Sequence, residues 1–301
     1  MTKLRVSVVE YLNTAPLVWG FTHGPLAGRY DLSFTVPSLC AEALRAGAAD
    51  VAIIPSIEFQ RMDGIVGLPG MAIASKDRVR SLLVLAKRPI AQVRRIALDR
   101  SSRSTQALVR ILCAERWKIS PEFIESAPDP EAMLHDADAA LVIGDPALRI
   151  SLSIEAPARA GQAGELICSA PDAGLRAAVA ETLHVYDVAG EWRRLTSLPA
   201  VMAFWAARRD VATPQVVADF VASRDYGLAR IAEIGREASR ELALPAAALE
   251  AYLGANIDFS MDEQNCRGLE RFFARCAALG LITPAKPIEW APVSVSVRAA
   301  K

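Results

Sequence analysis

The chain predicts a layered α/β protein, with mostly parallel sheets flanked by helices. Three observations carry that expectation. Short β-branched or leucine-rich runs alternate with segments of helical period at both ends of the chain. The strand-like runs lead into polar turns that open helices, where α/β sheets keep their ligands. At 301 residues the chain can bury a sizeable core and is better served by two lobes than by one.

Leu4 to Val9 reads as the first strand. The turn Glu10-Tyr11-Leu12-Asn13-Thr14 follows and opens a helix through Val18 and Trp19. Asn13 or Thr14 is placed to cap it, with Pro16 tolerated in its first turn. Val36-Pro37-Ser38 leads into a helix through Leu39, Ala43 and Leu44 that Gly47 should end. Val51 to Ser56 is a buried strand halted by Pro55, and Ser81 to Ala86 is another, followed by Pro89. Ala139 to Ile143 repeats the pattern, with Asp145 placed as cap and Pro146 at the first helical position. Leu198 to Ala206 is an apolar strand in which Phe204 and Trp205 read as core, and everything beyond Thr213-Pro214 reads as helical. There, Ser260 with Glu263 has capping-box spacing, and Leu269, Phe272, Phe273, Cys276 and Leu279 form a core face before Gly280.

Composition narrows the function. Lys plus Arg equals Asp plus Glu at 34 each, so there is no basic footprint for nucleic acid or an anionic membrane. Any anionic ligand must then be held by local groups. The apolar run at the N-terminus meets Glu10 too soon for a signal-peptide core, and no run approaches the length of a membrane span; a cytoplasmic protein is expected. Five scattered cysteines never form Cys-x-x-Cys and read as reduced, mostly buried thiols. Three distant histidines without a His-x-x-x-His spacing argue against a zinc site. Neither Gly-x-Gly-x-x-Gly nor a P-loop is present, so no metal or cofactor is expected. Oligomeric state is not encoded in any recognisable pattern.

The most informative stretch is Arg95 to Arg110: a short strand, the turn Asp99-Arg100-Ser101-Ser102-Arg103-Ser104-Thr105, then a helix marked by Leu108, Ile111 and Leu112. A helix start offers unpaired N–H groups and a partial positive charge. A cap needs one hydroxyl, whereas this turn supplies four and an arginine, a set suited to a carboxylate or phosphate. Arg103 is placed to face either ligand or solvent. Asn13, Ser38, Ser56 and Asp145 occupy the other polar strand-end turns.

The segments Tyr11-Leu12-Asn13, Leu98 to Thr105, Leu141-Val142-Ile143-Gly144-Asp145-Pro146-Ala147-Leu148, Tyr186 to Trp192 and Leu195 to Pro199 occur in one order. Together they resemble the chorismate dehydratase family of the futalosine route to menaquinone, from the first strand to about Leu281. The resemblance implies a two-lobed type 2 periplasmic-binding-protein-like fold with a ligand cleft between the lobes. Lobe one would be 1–88 and 200–301 and lobe two 92–190, with hinge crossings near 83–92 and 190–205. It also implies a carbon–oxygen lyase that removes water from chorismate to give 3-[(1-carboxyvinyl)oxy]benzoate.

On that resemblance Asn13 is the catalytic candidate, orienting the substrate or its leaving hydroxyl. Ser102, Ser104, Thr105 and Arg103 would receive one carboxylate, and Ser56 and Ser81 the other, with Ser38 and Asp145 as further substrate contacts. No obvious general base stands at these turns apart from Glu10 and Asp145, and each has a plainer use, as a solvated strand end and a cap. The expected proton acceptor is therefore the enolpyruvyl carboxylate of the substrate itself. His23 is an alternative acid or a structural residue. Two other readings share the fold: a solute receptor without chemistry, and the related 1,4-dihydroxy-6-naphthoate synthase, which lacks the Tyr-Leu-Asn turn.

Overall fold

Alternating valines make Arg5–Val9 the first strand, β1, buried after Arg5. It is the seed of a six-stranded sheet in the computed structural model, which describes residues 3–154, 159–160, 165–179 and 182–293. The chain divides into two units, Met1–Ala74 with Val201–Lys301, and Ser75–Ala200.

In the first unit α1 (Ala15–Thr22), β2 (Asp31–Thr35), α2 (Pro37–Arg45), β3 (Val51–Pro55), α3 (Ser56–Gln60) and β4 (Ile65–Ser75) follow β1. The second unit contributes β5 (Leu82–Ala86), β6 (Arg95–Asp99), α4 (Arg103–Ile111), β7 (Glu122–Ser126), α5 (Pro130–Asp136), β8 (Ala139–Ile143) and α6 (Gly144–Ser153). It continues through β9 (Arg159–Ala160), β10 (Leu166–Cys168), α7 (Ala173–Ala178), β11 (Leu183–Asp187) and α8 (Val188–Thr196). The chain then returns to the first unit as β12 (Ala200–Arg208), α9 (Pro214–Leu228), α10 (Ile231–Leu242), α11 (Ala246–Ala251), β13 (Asp258–Ser260) and α12 (Glu263–Ala278).

The first sheet has the order β13-β4-β12-β3-β1-β2 and the second β7-β6-β8-β5-β11-β10-β9. Both are mixed rather than mostly parallel. The β2-β1-β3 and β7-β6-β8 triplets are parallel, because each step within them is joined by a helical crossover. Beyond the triplets β12 runs against β3, and β5 runs against both β8 and β11.

The core of the first unit is aromatic at its centre: Phe220 meets Phe21, Tyr30 and Trp205 edge-on. Helices α1 and α9 touch backbone to backbone. A Cβ on Gly227 would fall 2.1 Å from the Pro16 carbonyl oxygen, so only glycine permits this approach. In the second unit an aliphatic core under β5 and β8 includes Leu83, Leu85, Val142, Leu134 and Leu175.

Several helix ends differ from expectation. The capping box at Ser260 does not form, because Ser260 donates its N–H and hydroxyl to Asp258 Oδ1. Asp262 caps α12 instead, accepting from the Asn265 N–H, and Gly280 closes the helix at φ +68°. A carboxylate two residues nearer the helix simply outcompetes the hydroxyl. Leu279 stays partly exposed, while the other four residues of the expected face are buried. Near the end of the described chain a single β-bridge joins Gly67 to Trp290, with Gly67 donating to the Glu289 carbonyl and accepting from the Ala291 N–H. No described helix is long and apolar enough to cross a membrane.

Candidate functional site

Each sheet gathers its polar turns at one end. In the first unit, parallel β1, β2 and β3 end at Val9, Thr35 and Pro55. The turns that hold Asn13, Ser38 and Ser56 therefore lie at the same edge of one sheet. Asn13 sits in a single 3-10 turn, Leu12–Thr14, pinned by the Thr14 N–H on the Tyr11 carbonyl. Neither Asn13 nor Thr14 caps α1 with its side chain. The Asn13 side chain is half-buried and its Oδ1 accepts a long, 3.4 Å bond from the Thr14 hydroxyl. Ser38 lies in the first turn of α2, after Val36 at the cap position. Ser56 is wholly buried at the start of α3, and its hydroxyl donates to the Val201 carbonyl at 2.8 Å. That proton is committed to the fold.

In the second unit β6 and β8 are parallel neighbours ending at Asp99 and Ile143, and Leu82 at the start of β5 pairs with Ile143. Ser81, Asp145 and the serine turn thus share one edge. The Ser81 carbonyl accepts from the Gly144 N–H at 2.8 Å. Gly144 adopts φ +66°, a left-handed conformation that glycine makes cheap at the start of α6. Asp145 is therefore inside the first helical turn rather than at the cap, which is Ile143. The helix begins two residues earlier than the Asp-Pro pair suggests. Asp145 lines a cavity of about 350 Å³ with Asp129, Glu131, Arg149 and Asp172, a wall with excess negative charge.

The serine turn opens α4 where the hydroxyl pattern predicts. Ser102 occupies the cap position, yet its side chain makes no capping hydrogen bond. Its N–H donates to the Asp99 carbonyl, and its own carbonyl accepts from the Gln106 N–H. Ser101, Ser102, Ser104 and Thr105 are all largely covered, and Arg103 is half-buried. Helix-start amides, hydroxyls and a guanidinium thus gather at one turn.

Beneath that turn lies a residue the sequence does not single out. Asp99 is completely buried, and its Oδ1 accepts both the N–H of Ser101 at 2.8 Å and its hydroxyl at 2.6 Å. Its Oδ2 is buried without a hydrogen-bond partner. Burial raises the Asp99 carboxyl above the usual range, against the lowering effect of the Ser101 bonds and of Arg100. An acid at a strand end reads in sequence as an exposed turn residue, and only the packing shows otherwise.

The Tyr186 to Pro199 motif is structural. Asp187 caps α8 through the Gly190 N–H and also accepts from Val79 and Arg80, while Trp192 donates to the Pro199 carbonyl from the core. His23 stacks on Trp19 at 3.7 Å and faces Glu237. Thiol nucleophiles find no support, since burial pushes Cys40 up to about 11 and Cys113 up to about 12. The cysteines are free, four of them buried, and no described cluster of His, Cys, Asp and Glu is arranged to hold a metal.

Two α/β units on mixed sheets, linked by a chain that leaves the first and returns to it, define the periplasmic-binding-protein fold. A structure from Archaeoglobus fulgidus superposes with a TM-score of 0.66 at 17% identity, covering 93% of this chain and 98% of that one. The alkanesulfonate-binding protein of Xanthomonas axonopodis pv. citri, bound to MOPS, gives 0.62 at 15% identity over 97% and 96%. A family model for menaquinone biosynthesis matches residues 4–278, and the chain belongs to that family. Among its curated relatives, the chorismate dehydratase of Thermus thermophilus is 27% identical over 284 residues, 90% of this chain and 93% of the relative.

Proposed function

We propose that the protein is a cytoplasmic carbon–oxygen lyase that converts chorismate into 3-[(1-carboxyvinyl)oxy]benzoate and water. The observation that carries this reading is the family match across residues 4–278, joined by a chorismate dehydratase relative of nearly the same length. The hydroxyl-rich start of α4 supports it, because the substrate is a dianion and helix starts of this kind suit a carboxylate.

The chemistry asks for little beyond positioning and charge stabilisation. The proton lost is on the ring carbon that carries the ether oxygen, vinylogous to the ring carboxylate. The hydroxyl leaves from the neighbouring carbon and the ring becomes aromatic. The elimination is redox neutral, so no electron carrier enters. Negative charge spreads into the ring carboxylate as the proton departs. Fixed donors aimed at that carboxylate lower the barrier by ~2–4 kcal/mol each. Ser102, Ser104 and Thr105 with the first amides of α4 serve this role, assisted by Arg103. The enolpyruvyl carboxylate accepts the proton, and the Asn13 amide orients the leaving hydroxyl. Ser38 and Ser81 are further substrate contacts. Ser56 and Asp145 contribute less, the first because its proton is spent on Val201, the second because of its acidic surroundings.

Purified protein mixed with chorismate should deplete the diene absorbance and release enolpyruvyl benzoate. Asn13→Ala should still bind chorismate and lose at least about a hundredfold in kcat, as for removal of an oriented polar group. Full activity in that variant overturns the role of Asn13. A receptor is the second reading, favoured by the likeness to a solute-binding protein. Chorismate that raises the melting temperature but stays unchanged would decide for it.

A further inference from the structure

Asp99 stands apart from the other buried acids because half of its carboxylate is unanswered. Oδ1 takes two bonds from Ser101, and the main-chain carbonyl takes the Ser102 N–H and Gln106 Nε2, at 3.1 and 3.0 Å. Asp99 thereby fixes both ends of the turn that opens α4. Oδ2 is sealed from solvent with no donor in reach. An ionised carboxylate so placed holds a negative charge directly behind a helix start that is arranged to attract one. Two anions then compete for the same partial positive charge.

The charged groups on the elements around it are Arg100 in the turn, Arg103 and Arg110 on α4, Glu122 and Glu125 on the paired strand β7, and Asp145 and Arg149 on α6 beyond the end of β8. Arg95 stands at the far end of β6 itself, and α5, packed on β6, carries Glu131, His135 and Asp136. The β8 residues paired with β6 are Ala139, Ala140 and Leu141, which carry no charge. No cation among them forms a hydrogen bond with Oδ2.

We infer that Asp99 is the positioning residue of the α4 donor turn, and that it carries a proton on Oδ2 whenever a ligand carboxylate occupies that turn. Oδ1 keeps Ser101 in place in either state. If Asp99 is ionised beforehand, binding takes one proton from solvent, which forms the Oδ2–H bond and removes the competing charge. This rests on reading the α4 start as the substrate carboxylate site.

The test compares wild type with Asp99→Asn, which keeps an acceptor for Ser101 and cannot ionise. With chorismate as substrate, the wild-type KM should rise by up to about tenfold per pH unit above the Asp99 midpoint, the limit for one linked proton. The Asp99→Asn KM should stay flat over the same range. Asp99→Ala should raise KM at every pH, since the turn loses its anchor; if it does not fold, the Asn variant carries the test alone. Equal pH profiles in wild type and Asp99→Asn overturn the assignment while leaving the activity intact. A wild type inert toward chorismate overturns the activity reading instead. The carboxyl carbon-13 signal of Asp99 in the ligand-free full chain then decides. A midpoint above the ordinary aspartate range, followed by the Ser101 amide, supports the assignment, and one within or below that range overturns it.

Discussion

Two strands of the second sheet end in a buried aspartate, and the two ends are finished differently. Asp187, closing β11, has both oxygens occupied: Oδ1 by the N–H groups of Val79 and Gly190, Oδ2 by that of Arg80. Asp99, closing β6, uses one oxygen only. Burial raises both carboxyls, and at Asp187 three amide donors pull against it. A fully answered buried charge holds a structure in one state, whereas a half-answered one leaves a state to be chosen. Asp187 belongs to a segment that ties residues 79–80 to the start of α8, with Arg80 held at φ +64°. Asp99 belongs to the turn read as a ligand receptor. The difference separates a fastening from an adjustable part.

The same substitution at the two positions breaks or sharpens that contrast. Asp187→Asn places an N–H₂ where a carboxylate oxygen meets a backbone donor, so at least one buried N–H loses its acceptor. The expected loss is about 2–4 kcal/mol of folding free energy, for a buried unsatisfied donor plus weakened charge-assisted bonds. Chemical denaturation monitored by fluorescence measures it. A loss below about 1 kcal/mol would mean the amide cage is not what holds the 79–80 segment. Ser101→Ala comes next in size. It removes the 2.6 Å hydroxyl bond and leaves the N–H bond, costing about 1 kcal/mol at neutral pH and raising the Asp99 carboxyl further.

The contrast also marks what a linear reading of the chain can reach. The start of α4 was legible because hydroxyls next to a 3.6-residue apolar period are a local signal, and local signals survive folding. The capping box at Ser260 was misleading for the same reason. Its spacing is right, yet Asp258 captures the hydroxyl and Asp262 supplies a stronger cap. Ser56 was legible as a polar strand end, but its commitment to Val201 spans 145 positions and leaves no local trace. The antiparallel placement of β12 and β11 is equally non-local. Asp99 lies between these cases, since its position in the motif is plain and its burial depends on β7, β8 and α4 closing around it.

Asp99→Asn should have the smallest effect on stability, and its sign depends on pH. The folded carboxyl lies above the unfolded value of about 3.9, so the folded protein binds the proton more tightly than the unfolded chain. That contribution is complete below the unfolded value and is lost as pH rises through the folded one. Asn neither gains nor loses it. Wild type should therefore be the more stable protein on the acid side. The difference should shrink as pH rises through the folded midpoint, and Asn should match or exceed wild type above it. Melting curves of both proteins across that range, at one ionic strength, give the difference directly. If wild type instead gains on Asn as pH rises, the ionised form is the one the fold prefers. Oδ2 must then have found a donor, and Asp99 becomes a second Asp187.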